Sequence, residues 1–152
     1  ITNGTLIGTI RHEGIIPWDD DIDITINNEN MKKLDNEKII KEIDENNIEI
    51  VNFWGGKKFF KKDGQPNWIK KWKFPFIDIF TFEKYFTKYH SVIYPVKKYK
   101  FEDFEVFGPN KGEEYLNMKY GNDWKTIGKK SCYNHKEERY YKKCVNWRSF
   151  NL

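Results

Sequence analysis

Residues Pro17-Trp18-Asp19-Asp20-Asp21-Ile22-Asp23-Ile24-Thr25-Ile26 constrain this chain more than any other stretch. Side chains of a strand alternate between its two faces. A strand over about residues 20–26 therefore sends Ile22, Ile24 and Ile26 into a core and turns Asp19, Asp21 and Asp23 the other way. Carboxylates aligned on one half-buried face repel each other, and a bound cation removes that repulsion. The spacing lets Asp21 and Asp23 share one hard ion such as Mg²⁺, which takes oxygen ligands. The bland alternative is a solvated acidic loop after Trp18, and the isoleucine alternation behind the acids argues against it.

A second acid stands in a comparable setting. Asp78 lies within Phe74-Pro75-Phe76-Ile77-Asp78-Ile79-Phe80, a lone carboxylate among bulky apolar residues. Acids are rarely buried unpaired, so either a basic residue meets Asp78 or it joins the same metal cluster from a neighbouring strand. Three carboxylates on adjacent strands suit metal-assisted phosphoryl transfer, with Mg²⁺ or Mn²⁺ steadying the attacking and leaving oxygens. In such a cluster Asp78 is also a natural general base for an acceptor hydroxyl.

Ahead of the acidic strand, Gly4-Thr5 reads as a turn opening a helix, with Thr5 as N-cap and Leu6, Ile7 and Ile10 on one face. Free backbone N–H groups at a helix N-terminus form a cradle for phosphate. Arg11, further along this helix, can reach a phosphate or pair with one of the acids.

The rest of the chain alternates between helical and strand periodicity. Residues 28–47 carry a stripe of Met31, Leu34, Ile39, Ile40 and Ile43 and read as one helix. Strands are expected over residues 48–53, around Phe59-Phe60 and over residues 74–82, with turns at Gly55-Gly56 and Asp63-Gly64. A short helix over residues 83–90, a strand pair over 101–107 and a helix over 113–120 follow. The last 25 or so residues show little pattern. With 152 residues and no linker or repeat, the expectation is one α+β domain spanning 1–152. The chain opens without Met and already inside the glycine-turn motif, so it reads as a domain truncated at its N-terminus.

A formal charge of +4 suits a phosphate-bearing substrate yet falls short of a nucleic-acid-binding signature, so no nucleic-acid partner is expected. No apolar stretch approaches the roughly 20 residues of a membrane span. Cys132, His135 and Cys144 offer three zinc-type ligands without an obvious fourth. They read as two free thiols and a hydrogen-bonding histidine.

The run Gly4-Thr5-Leu6-Ile7-Gly8-Thr9-Ile10-Arg11-His12-Glu13-Gly14-Ile15-Ile16-Pro17-Trp18-Asp19-Asp20-Asp21-Ile22-Asp23-Ile24 resembles the signature of the LicD family, which includes the fukutin-type proteins. The segment Ile77-Asp78-Ile79-Phe80, and the stretches from Tyr94-Pro95-Val96-Lys97-Lys98 through Glu113-Glu114-Tyr115-Leu116 to Tyr120-Gly121-Asn122-Asp123-Trp124, are also similar, so the likeness covers most of residues 1–135. The resemblance implies a nucleotidyltransferase-like mixed β-sheet flanked by helices. It also implies transfer of a phospho-alcohol group, such as phosphocholine or ribitol phosphate, from a CDP-activated alcohol donor to a glycan or glycoconjugate acceptor. On these terms Asp21 and Asp23 take the paired-carboxylate role, Asp78 the third, Gly4-Thr5 the phosphate turn, and Lys97 and Lys98 a basic pair before a strand. The Lys- and Trp-rich segment 54–72 departs from the pattern and is expected to build a substrate pocket, where Trp54, Trp68 and Trp72 could cage an ammonium, stack on a glycan or serve the core. Two other functions fit the same residues: nucleotidyl transfer to a small molecule, protein or RNA end, and an inactive glycan-binding domain of the same fold.

Overall fold

The computed structural model describes residues 1–53, 55–67, 69–81, 83–141 and 147–152. Helix α1 (Asn3–His12) leads to strand β1 (Ile22–Thr25), followed by helices α2 (Asn28–Lys33) and α3 (Glu37–Glu45). Strands β2 (Ile48–Phe53), β3 (Gly56–Pro66) and β4 (Lys73–Phe80) come next, then α4 (Glu83–Ile93). A hairpin of β5 (Lys97–Phe101) and β6 (Phe104–Gly108) precedes α5 (Gly112–Tyr120). A 3₁₀ turn (Asn122–Lys125) then leads to β7 (Ile127–Ser131), β8 (Tyr133–Asn134), β9 (Arg139–Tyr140) and β10 (Trp147–Asn151).

The architecture is α+β, as the sequence pattern predicts. Its central sheet is mixed and runs β1-β4-β3-β2, with β1 parallel to β4 and the other pairs antiparallel. The main apolar cluster lies among helices: Leu6 of α1 meets Tyr89, Val92 and Ile93 of α4, Tyr115 and Leu116 of α5, and Trp124. Burying side chains of this size contributes roughly 1.5–3 kcal/mol each. This cluster holds α1 in place, and α1 in turn holds β1.

That second link is made by backbone groups. β1 is an edge strand, so the N–H and C=O of Asp23 have no strand on their side. Buried backbone groups need partners. The Thr5 hydroxyl accepts from the Asp23 N–H at 2.8 Å, and the Asp23 carbonyl accepts from the Thr2 N–H at 3.2 Å. Helix α1 thus begins at Asn3 with Thr2 in the N-cap position, where its side chain makes no capping bond. Thr5 sits inside the first turn, not at the N-cap as its residue type suggests.

Other differences from the sequence pattern have local causes. Residues 28–47 form two helices because Asn27 and Asn36 each cap a new start, accepting from the N–H of Asn30 and of Lys38. β1 is shorter than expected, because Trp18 donates to the Lys129 carbonyl at 3.1 Å and ties the preceding residues to β7 instead of β4. Ile22 and Ile24 are half-buried rather than in a core. β3 continues as one strand through the expected Asp63-Gly64 turn, with a register shift against β4 between Phe60 and Gln65. The seemingly patternless end of the chain pairs β7 with β10 and β8 with β9. Among the described residues no helix is long and apolar enough to cross a membrane.

Candidate functional site

Strand register assembles the site. Parallel pairing sets Asp23 beside Asp78, and antiparallel pairing sets Lys58 on the other side of Asp78. Residues paired in register share a face, so Asp23, Asp78 and Lys58 form a row across β1, β4 and β3. Asp21 reaches the row from the loop before β1. Asp21, Asp23 and Asp78 each offer an oxygen, and these atoms all lie within 4.8 Å of one another. Oxygen donors so placed suit a hard divalent ion. The acidic cluster can therefore hold a metal.

Crowding acids into this space shows in their protonation. Burial, reinforced by Asp19, Asp20 and Asp78 and opposed by His135, pushes Asp21 up to about 6. Burial and the charge of Asp21 push Asp23 up to about 6 as well, against a hydrogen bond from the Asn3 side chain. Asp78 is also raised, by burial, although the Lys58 ammonium works the other way.

These shifts fix a sign for the pH dependence of stability. A carboxyl that titrates near 3.8 when unfolded and about 6 when folded binds its proton more tightly in the native state. Stability then falls as pH rises from about 4 through about 6. His135 acts in the same direction: burial opposes its charge, but Asp20 and Asp21 raise its pKa, so its contribution is lost as pH climbs. Asp20 is held below its ordinary value despite burial, chiefly by His135, so it titrates beneath this window. The metal-free protein is expected to melt at a lower temperature at pH 7.5 than at pH 5. Mn²⁺ at pH 7.5 is expected to recover the difference, since a ligand of the native state stabilises it. A melting temperature in chelator that climbs with pH would contradict this charge arrangement.

Two further side chains complete the site: Lys58, which the sequence pattern did not single out, and His135, which it read as a hydrogen-bonding histidine. Lys58 donates to both Asp78 oxygens, at 2.6 and 2.8 Å, with both side chains buried. Asp78 thus meets a base and also stands within the acidic group. Lys57 faces the other way, toward Asp35 and Asn52. His135, in the β8–β9 turn, bonds Asp20 through Nδ1 at 2.6 Å and approaches Asp21 through Nε2 at 3.3 Å. Asp20, Asp21 and His135 form a second group of closely spaced donor atoms that shares Asp21 with the first. The free-thiol expectation fails at Cys132, which is disulfide-bonded; Cys144 lies outside the described residues.

The remaining expected site residues are placed as follows. Gly4 lies against Asp19, where an added Cβ would stand 2.6 Å from a carboxylate oxygen. Arg11 donates to the Trp124 carbonyl at 2.6 Å and lies over the Trp18 ring, and it forms no ion pair with an acid among the described residues. Lys97 and Lys98 are exposed on the β5–β6 hairpin, Lys97 over Tyr99 and Lys98 paired with Glu105 at 2.8 Å. Trp72 closes over the Lys58 ammonium, while Trp54 and Trp68 lie outside the described residues.

A cleft of about 790 Å³ opens beside the row, its lining including Thr2, Asn3, Thr25, Asn27, Tyr94 and Lys119. The three clustered aspartates do not line it. Asn3 is the link, because its side chain bonds Asp23 and also accepts from the Lys119 ammonium.

Residues 1–111 match the family model described as the LicD/FKTN/FKRP nucleotidyltransferase domain. The chain belongs to the LicD family. It is 36% identical over 125 residues to an uncharacterized protein of Rickettsia prowazekii, covering 79% of this chain and 46% of that protein. A counterpart from Rickettsia typhi is 32% identical over 134 residues, with 79% and 38% covered. A lipopolysaccharide cholinephosphotransferase LicD of Haemophilus influenzae is 81% identical over 21 residues, which are 14% of this chain and 8% of that enzyme. The chain thus spans less than half the length of each of these relatives.

Proposed function

We propose that this LicD domain transfers a phospho-alcohol group from a CDP-linked donor to a glycan hydroxyl, using Mg²⁺ or Mn²⁺. The observation that carries the reading is the register of β1 on β4, which sets Asp23 beside Asp78 with Asp21 in reach. Asp21, Asp23 and Asp78 would hold the metal. When bound, it supplies positive charge to the oxygens between which the phosphoryl group moves.

The chain's own groups arrange the rest. Lys58 engages both oxygens of Asp78, which fixes the carboxylate for holding a cation. His135, clasped by Asp20 and Asp21, places an imidazole able to exchange a proton beside the cluster. The cleft beside Asn3 is the place for the donor's nucleotide half, with Lys119 supplying a cation to its phosphates. The first turn of α1, Gly4 and Thr5 included, is the second source of phosphate donors.

Thermal-shift screening with CDP-choline, CDP-ribitol, CDP-glycerol and ordinary nucleoside triphosphates, each with and without Mg²⁺, tests this. Stabilisation by at least one CDP-alcohol, larger with the metal, is expected. Stabilisation by triphosphates alone would replace phospho-alcohol transfer with nucleotidyl transfer. The Haemophilus relative is named for cholinephosphate transfer, so CDP-choline is the first donor to try.

A further inference from the structure

Lys58 occupies a compartment built for a cation. Its Nζ lies 4.7 Å from the Phe53 ring centre, 4.9 Å from that of Trp72 and 3.5 Å from that of Phe76. The remaining side is closed by Asp78, whose two oxygens stand at 2.6 and 2.8 Å. A buried ammonium needs such replacements for its lost water, and ring faces with a carboxylate supply them. Packing alone does not call for lysine here, since a residue ringed by Phe53, Phe76 and Trp72 is well placed to be apolar. What lysine adds is a fixed positive charge on the carboxylate that also belongs to the Asp21–Asp23–Asp78 group.

We propose that Lys58 is a positioning residue and a resident counter-cation: it fixes the Asp78 carboxylate and keeps the site's affinity for a divalent ion below that of three unpartnered carboxylates. This rests on the metal reading above. With Lys58 counted, the three aspartates retain two negative charges, the complement of a single divalent ion. The site would then bind the ion without trapping it. The same occupancy removes Phe53, Phe76 and Trp72 as a cage for a substrate ammonium, because the chain's own ammonium fills it.

Calorimetric titration with MnCl₂ at pH 8 tests the proposal on wild type, Lys58→Met and Lys58→Arg. Lys58→Met is expected to melt at a lower temperature and yet to bind Mn²⁺ more tightly, by about tenfold or more. A unit charge a few ångström away supplies that much even at the effective dielectric of a protein surface. Lys58→Arg is expected to keep the wild-type affinity. Damage to the fold alone cannot tighten binding, so opposite movements of stability and affinity identify the role. If Lys58→Met does not fold, Lys58→Gln carries the same expectation, being neutral and still able to bond Asp78. Equal or weaker Mn²⁺ binding in the neutral variant, with wild type binding normally, overturns the role of Lys58 alone. Absence of Mn²⁺ binding in every protein, wild type included, overturns the metal reading and this role together.

Discussion

Asp21→Asn and Asp23→Asn, made singly, are each expected to lower kcat by about a thousandfold or more while the protein still folds. An amide has nearly the shape of the carboxylate but not its charge, so packing survives and the hold on the metal does not. Loss of about 4 kcal/mol of metal-based stabilisation corresponds to that factor. The fold has a reason to gain. Burial and neighbouring charges hold both carboxyls up at about 6, which means the ionised forms are disfavoured in the native state at neutral pH. Replacing one by an amide relieves the crowding. In chelator at pH 7.5, each variant should therefore melt at or above the wild-type temperature, and Mn²⁺ should raise it less. Turnover near the wild-type rate in either variant would remove that residue from the metal site.

Asp78→Ala is expected to behave in the opposite way, losing about 3–5 kcal/mol of stability. It leaves the Lys58 ammonium buried among rings with no carboxylate, and a buried charge stripped of its partner is among the costliest single changes. For a chain of this length the loss corresponds to a fall in Tm of roughly 6–20 °C. Asp78→Leu combined with Lys58→Met is expected to recover most of the loss, because exchanging both partners of a buried pair for apolar groups is often neutral. The three aspartates thus separate by experiment: two whose replacement relieves crowding and one whose removal strands a buried ammonium. A Tm for Asp78→Ala within about 2 °C of wild type would show that the pair contributes little.

Much of the site was legible because its chemistry is written in short-range alternation. Asp21, Asp23 and Asp78 could be picked out from their isoleucine and phenylalanine neighbours alone, and the structure brings those three together. Lys58 could not be picked out in the same way. Lys57 and Lys58 look alike in sequence, and only the pairing of β3 with β4 sends one to Asp35 and the other to Asp78. The available signal was the demand of a buried acid for a base, which named the kind of partner but not its position. His135 depends on a turn 115 residues from Asp20, a contact that no local pattern encodes.

The fold divides along the same line. Helices with apolar stripes and strands with alternation were readable. The two-helix break at Asn36 and the late start of β1 were set by a side-chain cap and by the Trp18 anchor, both stronger than the periodicity they interrupt. Thr5 was singled out for the wrong reason. Its hydroxyl answers the exposed edge of β1 rather than the start of α1, and edge status is a property of the whole sheet.

The register shift between Phe60 and Gln65 divides the β3–β4 hairpin into two zones of unequal tolerance. Toward Gly56 every residue is counted: a Cβ at Gly56 would lie 1.9 Å from the Ile79 carbonyl oxygen, and one residue added between Gly56 and Lys58 would turn the ammonium to the opposite face. Toward Pro66 the ladder has already absorbed an irregularity and carries no member of the row. Insertions, epitope tags or fluorophores are best placed in that outer part, where they lengthen the hairpin without altering the spacing of its charges.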